Sequence, residues 1–337
     1  MATTSIRDVA ARAGVSVGTV SNVLNQPDKV SSTAVARVQA AIEELGYVRN
    51  DAARQLRAGR STTIGLIVLD VRNPFFTDVA RGAEDEATQH GLSVLLGNSD
   101  ENSDREAAYL DLFEEQRVHG VLISPFGDVG PRLRRLRSRG IATVLVDRRS
   151  DDDSFSSVAV DDVMGGDVAV EHLLATGRRR IAFVGGPFEI RQVSDRFAGA
   201  SRAALRHPGT QLERIETQAL TVLEGRRIGE ALVARPGVEQ PDAVFAANDL
   251  VAMGVLQALN MSGATYVPDR IALIGYDDID FAGAAVVPFS SIRQPSGLIG
   301  ATAVQILLEE AADPGISPRQ VVFQPELVVR ASTTPMT

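Results

Sequence analysis

The sequence predicts a chain of two kinds: a short all-α segment at the N-terminus, followed by a long α/β body of parallel sheets. Three observations carry this. Apolar residues recur at helical spacing from Ile6 to Asn25 and again from about Thr33 to Leu45. From Ile64 onward, short apolar runs alternate with amphipathic stretches, the pattern of parallel strands covered on both faces by helices. The 337 residues, 44% hydrophobic, suffice for two or three domains with a sizeable core.

In the N-terminal segment, Ile6, Val9, Ala10 and Ala13 share one helical face. Gly14 follows where a tight turn needs a left-handed residue, which glycine adopts without steric cost. Val15 fills the gap between helices, Ser16 supplies an N-cap, and Val20, Val23 and Leu24 form the buried face of a second helix. Its exposed face carries Val17, Gly18, Thr19, Ser21 and Asn22. This is the layout of a helix-turn-helix, whose second helix enters the DNA major groove; an ordinary helical hairpin shares the pattern. The third helix has Val35, Val38 and Ile42 inward and stops at Gly46.

The formal net charge is −9, an unpromising balance for a nucleic-acid binder. Residues 1–60, however, hold eight basic and five acidic side chains, a net +3, so the rest carries −12. The basic end would be drawn to DNA and the acidic body repelled, which orients the encounter. With no cysteine, neither a disulfide framework nor thiolate chemistry is available. No charged segment leads into an apolar run at the N-terminus, and no stretch approaches ~18 uncharged apolar residues. A cytoplasmic protein without membrane spans is expected.

In the body, strands are expected at Ile64–Leu69, Ser93–Gly97, Gly120–Ile123, Ala142–Asp147, Val158–Val160, Arg180–Gly185, Arg214–Leu220, Ala243–Ala246 and Ile271–Tyr276. Helices are expected at about Phe75–His90, Asp104–Arg117, Val163–Thr176, Ser194–Leu205, Glu224–Ala234 and Asp249–Met261. Two such units lie before and after about residue 160, with polar Ser150–Ser157 reading as the segment that crosses between them. A strand near Ser291–Ile292, a helix Ser296–Glu310 and a strand Val321–Val329 follow. Pro131–Arg139 is strongly basic, but Leu133 and Leu136 suit a helix with a solvated basic face better than a second DNA contact.

Ligands of open parallel sheets sit beyond the carboxyl ends of the strands. The polar residues there are Asp70, Asn73, Ser124, Asp147, Arg191, Gln192, Asp195, Arg196, Asn248, Asp249, Asp277 and Asp278, with Gln294 on a late crossover. Carboxylates, amides and a guanidinium of this kind suit a polyol, and Phe75 and Phe76 could cover the apolar side of a sugar ring. Helix capping is the plainer role for Asp249, and solvation or capping for Asp278 and Asp280.

The blocks IRDVAARAGVS–TVSNVLN, VSS–V–AI–ELGYVRN, AARQLR, IGLIVLDVRNPFF and IGYDDID occur in this order, and the chain resembles the LacI/GalR family of bacterial transcriptional regulators over nearly its whole length. The resemblance implies a helix-turn-helix headpiece at 1–48, a hinge helix at 49–60, and a two-lobed effector and dimerisation domain at 61–337, similar to a periplasmic sugar-binding protein. Lobe one would hold about 61–160 and 292–320, and lobe two about 161–291 and 321–330. Val17, Gly18 and Asn22 match the base-reading positions, while Ser16, Thr19, Ser21 and Asn25 are suited to phosphates. In the hinge, Ala52, Ala53 and Leu56 share a face; Ala53 and Leu56 are candidate DNA contacts, and Leu56 matches the leucine that the family inserts into the minor groove at a central step. Effector contacts map onto Arg196, Asn248 and Asp277, and also onto Phe75, Phe76, Ser124, Asp147, Gln192 and Gln294. Ile190 stands where a purine-binding member carries an arginine, which disfavours a purine corepressor. The tail has no leucine heptads, so a homodimer on pseudo-palindromic operator DNA is expected, with no cofactor or metal.

Two other functional classes fit the sequence less well. An enzyme is disfavoured because the four histidines are scattered and no HExxH, GxSxG or P-loop occurs. A solute-binding protein of an importer would fit the body but not the helix-turn-helix. The expected function is a ligand-controlled repressor of sugar-utilisation genes, with a corepressor mechanism as the inverse alternative.

Overall fold

The computed structural model describes residues 4–47, 61–150, 154–262 and 267–334. The chain divides into two units, 1–60 and 61–337. In the first, α1 (Ile6–Ala13) starts at a capping box between Ser5 and Asp8 and ends at Gly14, which is left-handed at φ 62°. The second helix, α2 (Val17–Asn25), is capped by Ser16, whose side chain accepts from the Thr19 N–H at 3.0 Å. The third, α3 (Ser32–Leu45), is capped by Ser31 and closed by left-handed Gly46. Val9, Ala10, Ala13, Val20, Val23, Val38 and Ala41 form the core. Arg37 on α3 donates to the carbonyls of Ala13 and Gly14, at 2.9 and 2.7 Å, and so fixes the turn between α1 and α2.

The second unit holds two six-stranded sheets, the α/β architecture that the strand–helix alternation predicts. Sheet one is built from β1 (Thr63–Val68), β2 (Ser93–Asn98), β3 (Gly120–Ile123), β4 (Ala142–Val146), β5 (Ser156–Val160) and β11 (Gln320–Phe323), in the order β11-β5-β4-β3-β1-β2, all parallel. Sheet two takes β6 (Arg180–Val184), β7 (Gln211–Ile215), β8 (Ala243–Ala246), β9 (Ala272–Asp277), β10 (Ser290–Arg293) and β12 (Glu326–Val328), in the order β12-β10-β9-β8-β6-β7. Only β12 runs antiparallel there. Lobe one carries α4 (Pro74–Gln89), α5 (Ser103–Glu115), α6 (Gly130–Ser138) and the late helix α12 (Ser296–Ala312). Lobe two carries α7 (Asp162–Ala175), α8 (Arg191–Arg206), α9 (Val222–Ala234), α10 (Asp249–Met261) and the short α11 (Asp280–Ala284). Central strands are buried on both faces, as in β3 and β8, where every residue is buried, which explains their continuous apolar runs.

Three expectations need correction. Ser150–Ser157 does not cross between lobes; it joins β4 to β5, neighbours in sheet one, and the chain crosses at Asp161 instead. The seventh strand is Gln211–Ile215, not Arg214–Leu220. It is an edge strand with exposed polar residues, so its sequence lacks the apolar run used to find the others. The stretch Val321–Val329 is two strands in different sheets, β11 and β12, separated at Pro325, which has no N–H for a ladder. On the basic helix α6, Arg132 pairs with Asp111, Arg135 and Arg139 with Glu114, and Arg137 lies near Glu310. Its charge is largely answered within lobe one.

Candidate effector cleft and DNA-reading helix

In the headpiece, Val17 is 38% exposed at the start of α2, and Gly18 and Asn22 are exposed with it. Asn25 is exposed but donates back to the Ser21 carbonyl at 2.8 Å, and the hydroxyls of Ser16 and Thr19 lie 2.9 Å apart. The polar residues assigned to phosphates are thus oriented by their own helix. Ala53 and Leu56 lie outside the described residues.

In the second unit the strand ends converge. Phe75, Phe76, Asp147, Gln192, Arg196, Asn248 and Asp277 line one cavity between the lobes, together with Leu69, Asp70, Asn73, Glu101, Ile190, Val193 and Leu220. Ser124 and Gln294 do not line it. Ser124 is fully buried behind β3, and Gln294 acts from behind by donating to Asp277 Oδ1 at 2.8 Å. Phe75 and Phe76 open α4 behind Pro74 and meet edge to face with centroids 5.0 Å apart. Asn248 is the N-cap of α10, accepting from the Val251 N–H at 2.9 Å and donating to the Leu220 carbonyl at 3.3 Å. Asp249 points away, accepting from Ser291 Oγ at 2.7 Å and the Ile279 N–H at 2.8 Å. Asp278 is paired with Arg293 and Arg330.

Two side-chain bridges cross the cleft. Asn73 of lobe one donates to Asp277 Oδ2 of lobe two at 2.9 Å. Gln192 of lobe two donates to the Asp147 carbonyl and to its Oδ2, at 2.7 and 2.8 Å. The cavity they enclose is about 30 Å³, the scale of a water rather than a sugar ring. Binding a larger ligand there therefore means exchanging these bridges for ligand contacts.

At the cavity floor Arg196, 4% exposed, is held from every side. Its Nε donates to Asp162 Oδ1 at 2.8 Å, its Nη1 donates to the Ala247 carbonyl at 2.7 Å, Asp277 Oδ1 lies 3.8 Å away, and the guanidinium sits 3.7 Å over the Tyr276 ring. Burial pushes the carboxyls of Asp147, Asp162 and Asp277 above the ordinary range. The Asp162 charge adds to the rise at Asp147, and Arg196 opposes all three shifts. The site thus sets one fixed cation among acids that burial drives toward their neutral form. Asp147 and Asp277 also adopt left-handed backbone, at φ 59° and 103°, the kind of strain that collects at ligand sites.

Asn73 was seen only as a strand-end polar residue, and Asp162, Tyr276 and Glu101 were missed. Asp162 follows another aspartate at a helix start, where an N-cap is the ordinary reading, and only the fold brings it to Arg196, 34 positions away. Glu101 lies beyond a strand end in a polar run, with no motif to single it out.

Residues 5–50 match the family model for bacterial regulatory proteins of the lacI family, and residues 170–333 match a periplasmic binding protein-like domain. The ribose operon repressor of Escherichia coli K12 is 33% identical over 97% of this chain and 99% of its own. The transcriptional repressor PurR of Vibrio campbellii is also 33% identical, over 97% of each chain. The solved lac repressor dimer, bound to operator and the anti-inducer ONPF, superposes with a TM-score of 0.83 at 28% identity, covering 98% of this chain and 99% of that one. Among the described residues no helix is long and apolar enough to cross a membrane. A lacI-type DNA-binding segment joined to a two-lobed effector body, related over its whole length to transcriptional repressors rather than enzymes, places the chain in the LacI family as a DNA-binding, effector-controlled transcriptional repressor.

Proposed function

We propose that the effector is a neutral sugar and that its binding releases operator DNA. One observation carries the ligand class. Asp147 Oδ1 and Gln192 Oε1 are buried in residues of the cavity wall and accept no hydrogen bond among the described residues. A buried acceptor without a donor is costly, and ring hydroxyls are donors able to satisfy both. Phe75 and Phe76 supply an apolar face, and similarity to a ribose operon repressor favours a pentose. Similarity to PurR supports a second reading, purine corepression. Against it, Ile190 is an apolar, 1% exposed part of the cavity wall and offers a purine no polar group.

In this reading residues 1–48 read the operator through Val17, Gly18 and Asn22, with Ser16, Thr19, Ser21 and Asn25 on phosphates. Residues 49–60 fold on the DNA, with Ala53 and Leu56 in the minor groove, and residues 61–337 bind effector and dimerise. Exposed Leu95 and Leu96 on β2, and Leu223, Met261 and Val286 in lobe two, supply apolar surface for a second copy. The protein acts in the cytoplasm, where its operator lies. The test is a thermal-shift screen against D-ribose, other monosaccharides, disaccharides, sugar phosphates and purines. A ligand at ~100 times its Kd adds about 2.7 kcal/mol of stability. A neutral sugar that stabilises the protein and lowers its affinity for a selected operator supports the reading; a purine that raises that affinity overturns it.

A further inference from the structure

One wall of the cavity includes a residue from an unusual loop. Between β2 and α5 the backbone passes through two consecutive left-handed residues that are not glycine, Asp100 (φ 54°) and Glu101 (φ 53°). A side chain with a Cβ disfavours this conformation, yet the loop is held in it. Asp100 accepts from Arg72 Nη2 and Arg105 Nη1, both at 2.8 Å; the Glu101 N–H donates to the Leu69 carbonyl at 3.2 Å; and Asn102 caps α5 by accepting from the Asp104 and Arg105 N–H groups. The effect is to carry Glu101, a lobe-one residue, into the cavity wall beside Asp70. Leu220, on lobe two, lines the same cavity, with its backbone close enough to favour the ionised carboxyl of Glu101. Leu220 is anchored in turn by Asn248.

We propose that Glu101 is a positioning residue for effector binding, closing the cavity by docking a lobe-one carboxyl on the Leu220 amide of lobe two. This rests on the cavity being the effector site. The docking is sensitive to pH. Asp70 and Arg72 bear on Glu101 from the loop after β1 and Asp100 from its own turn, while the Leu220 loop brings backbone and its nearest acid, Glu224, is engaged with Gln218 and Arg227. Burial, with Asp70 adding, pushes Glu101 from 4.5 up to about 7. An open cleft returns the carboxyl to water and its ordinary range, so closing takes up a proton. Its contribution to closure is full below the ordinary carboxylate range and is lost as pH rises through about 7.

The chain has no cysteine, so Gln89→Cys on α4 and Leu205→Cys on α8 place one spin label on each lobe. Inter-lobe distances by pulsed EPR, and D-ribose titrations by calorimetry, are compared for wild type, Glu101→Gln and Glu101→Ala at about pH 5.5 and pH 8. The wild-type closed-to-open ratio and ribose affinity should each fall roughly thirtyfold across this range relative to Glu101→Gln, which keeps an acceptor but cannot ionise. Glu101→Ala should stay more open than Glu101→Gln at both. Any pH dependence from Asp147 and Asp277 is common to all three proteins. Glu101→Gln following the wild type at both pH values, or Glu101→Ala closing as fully as wild type, would overturn the proposal. If wild type takes up no D-ribose, ribose fails as the effector, and the label distances still decide the role of Glu101.

Discussion

Replacing Arg196 with methionine removes the cation from the cavity floor but keeps an apolar stem of similar length. The structure sets the scale of the loss. Asp162 and Asp277, 7% and 6% exposed, would lose a partner at 2.8 Å and a neighbour at 3.8 Å, and the Ala247 carbonyl would lose its donor. Removing one partner of a buried pair costs about 3–5 kcal/mol, because the other charge stays buried. A domain's total stability is only about 5–15 kcal/mol, so Arg196→Met should be among the most damaging single changes in this body. The reasoning also fixes a pH signature. Burial already raises both carboxyls above their ordinary range, and Arg196 is the largest influence holding them down, ahead of Tyr276 at Asp162 and of Asn73 and Gln294 at Asp277. Without it their folded-state values rise further, and a group raised on folding contributes stability at low pH that is lost as pH rises through the folded value. The variant's deficit should therefore be smaller at about pH 5 than at about pH 8.

Urea unfolding of wild type and variant at both pH values measures this, and adding Asp162→Asn should recover part of the loss, since the stranded carboxylate is then gone. A deficit under ~1 kcal/mol at both pH values, or a larger deficit in acid, would refute the buried-charge account. In binding assays the folded variant should lose the effector response and keep its operator affinity.

Gly166→Ala would place a Cβ 1.9 Å from the Arg196 carbonyl, so α7 and α8 must move apart; about 1–3 kcal/mol of lost stability should appear as a lower Tm, with ligand response weakened because α8 carries Gln192 and Arg196. Gly14→Ala combines a left-handed position at φ 62° with a Cβ 2.8 Å from the Arg37 guanidinium, and should cost about 1 kcal/mol or more in the headpiece while leaving effector affinity unchanged, as anisotropy on operator DNA and calorimetry would show. Leu56→Ala should weaken specific operator binding far more than nonspecific binding, and equal losses on both kinds of DNA would exclude a wedge.

Much of this molecule was legible because its signals are local. Ser16, Gly14, Val20 and Val23 announce a helix, its turn and its buried face within ten residues, and the apolar runs of β3 and β8 announce buried parallel strands. Where burial is one-sided or absent the signal fails: β7 carries exposed Glu213 and Arg214 on a sheet edge, so no apolar run marks its position. Strand-end polar residues were visible as a set, but whether each faces the cavity, as Asp277 does, or caps and braces, as Asp249 does, depends on partners such as Ser291 and Ile279 that lie 30 to 42 positions away.

The same distance dependence explains why the bridges across the cleft were invisible. Asn73 meets Asp277 across 204 positions and Gln192 meets Asp147 across 45, each joining one lobe to the other. No local rule links such residues, because the cleft is assembled by three passages of the chain between the sheets. In the proposed reading, these bridges are what an effector must exchange. A ligand shifts an equilibrium only by its differential affinity for the two states. Here it must replace amide–carboxyl bridges that close the cleft without it. A ligand hydroxyl that merely reproduces the bond of Asn73 to Asp277 gains little, whereas one that also donates to Asp147 Oδ1 or Gln192 Oε1 satisfies an acceptor that the bridged cleft leaves without a partner. Effector selectivity should therefore be greatest at the hydroxyls facing Asp147 and Gln192, and deoxy analogues of a bound sugar would locate them.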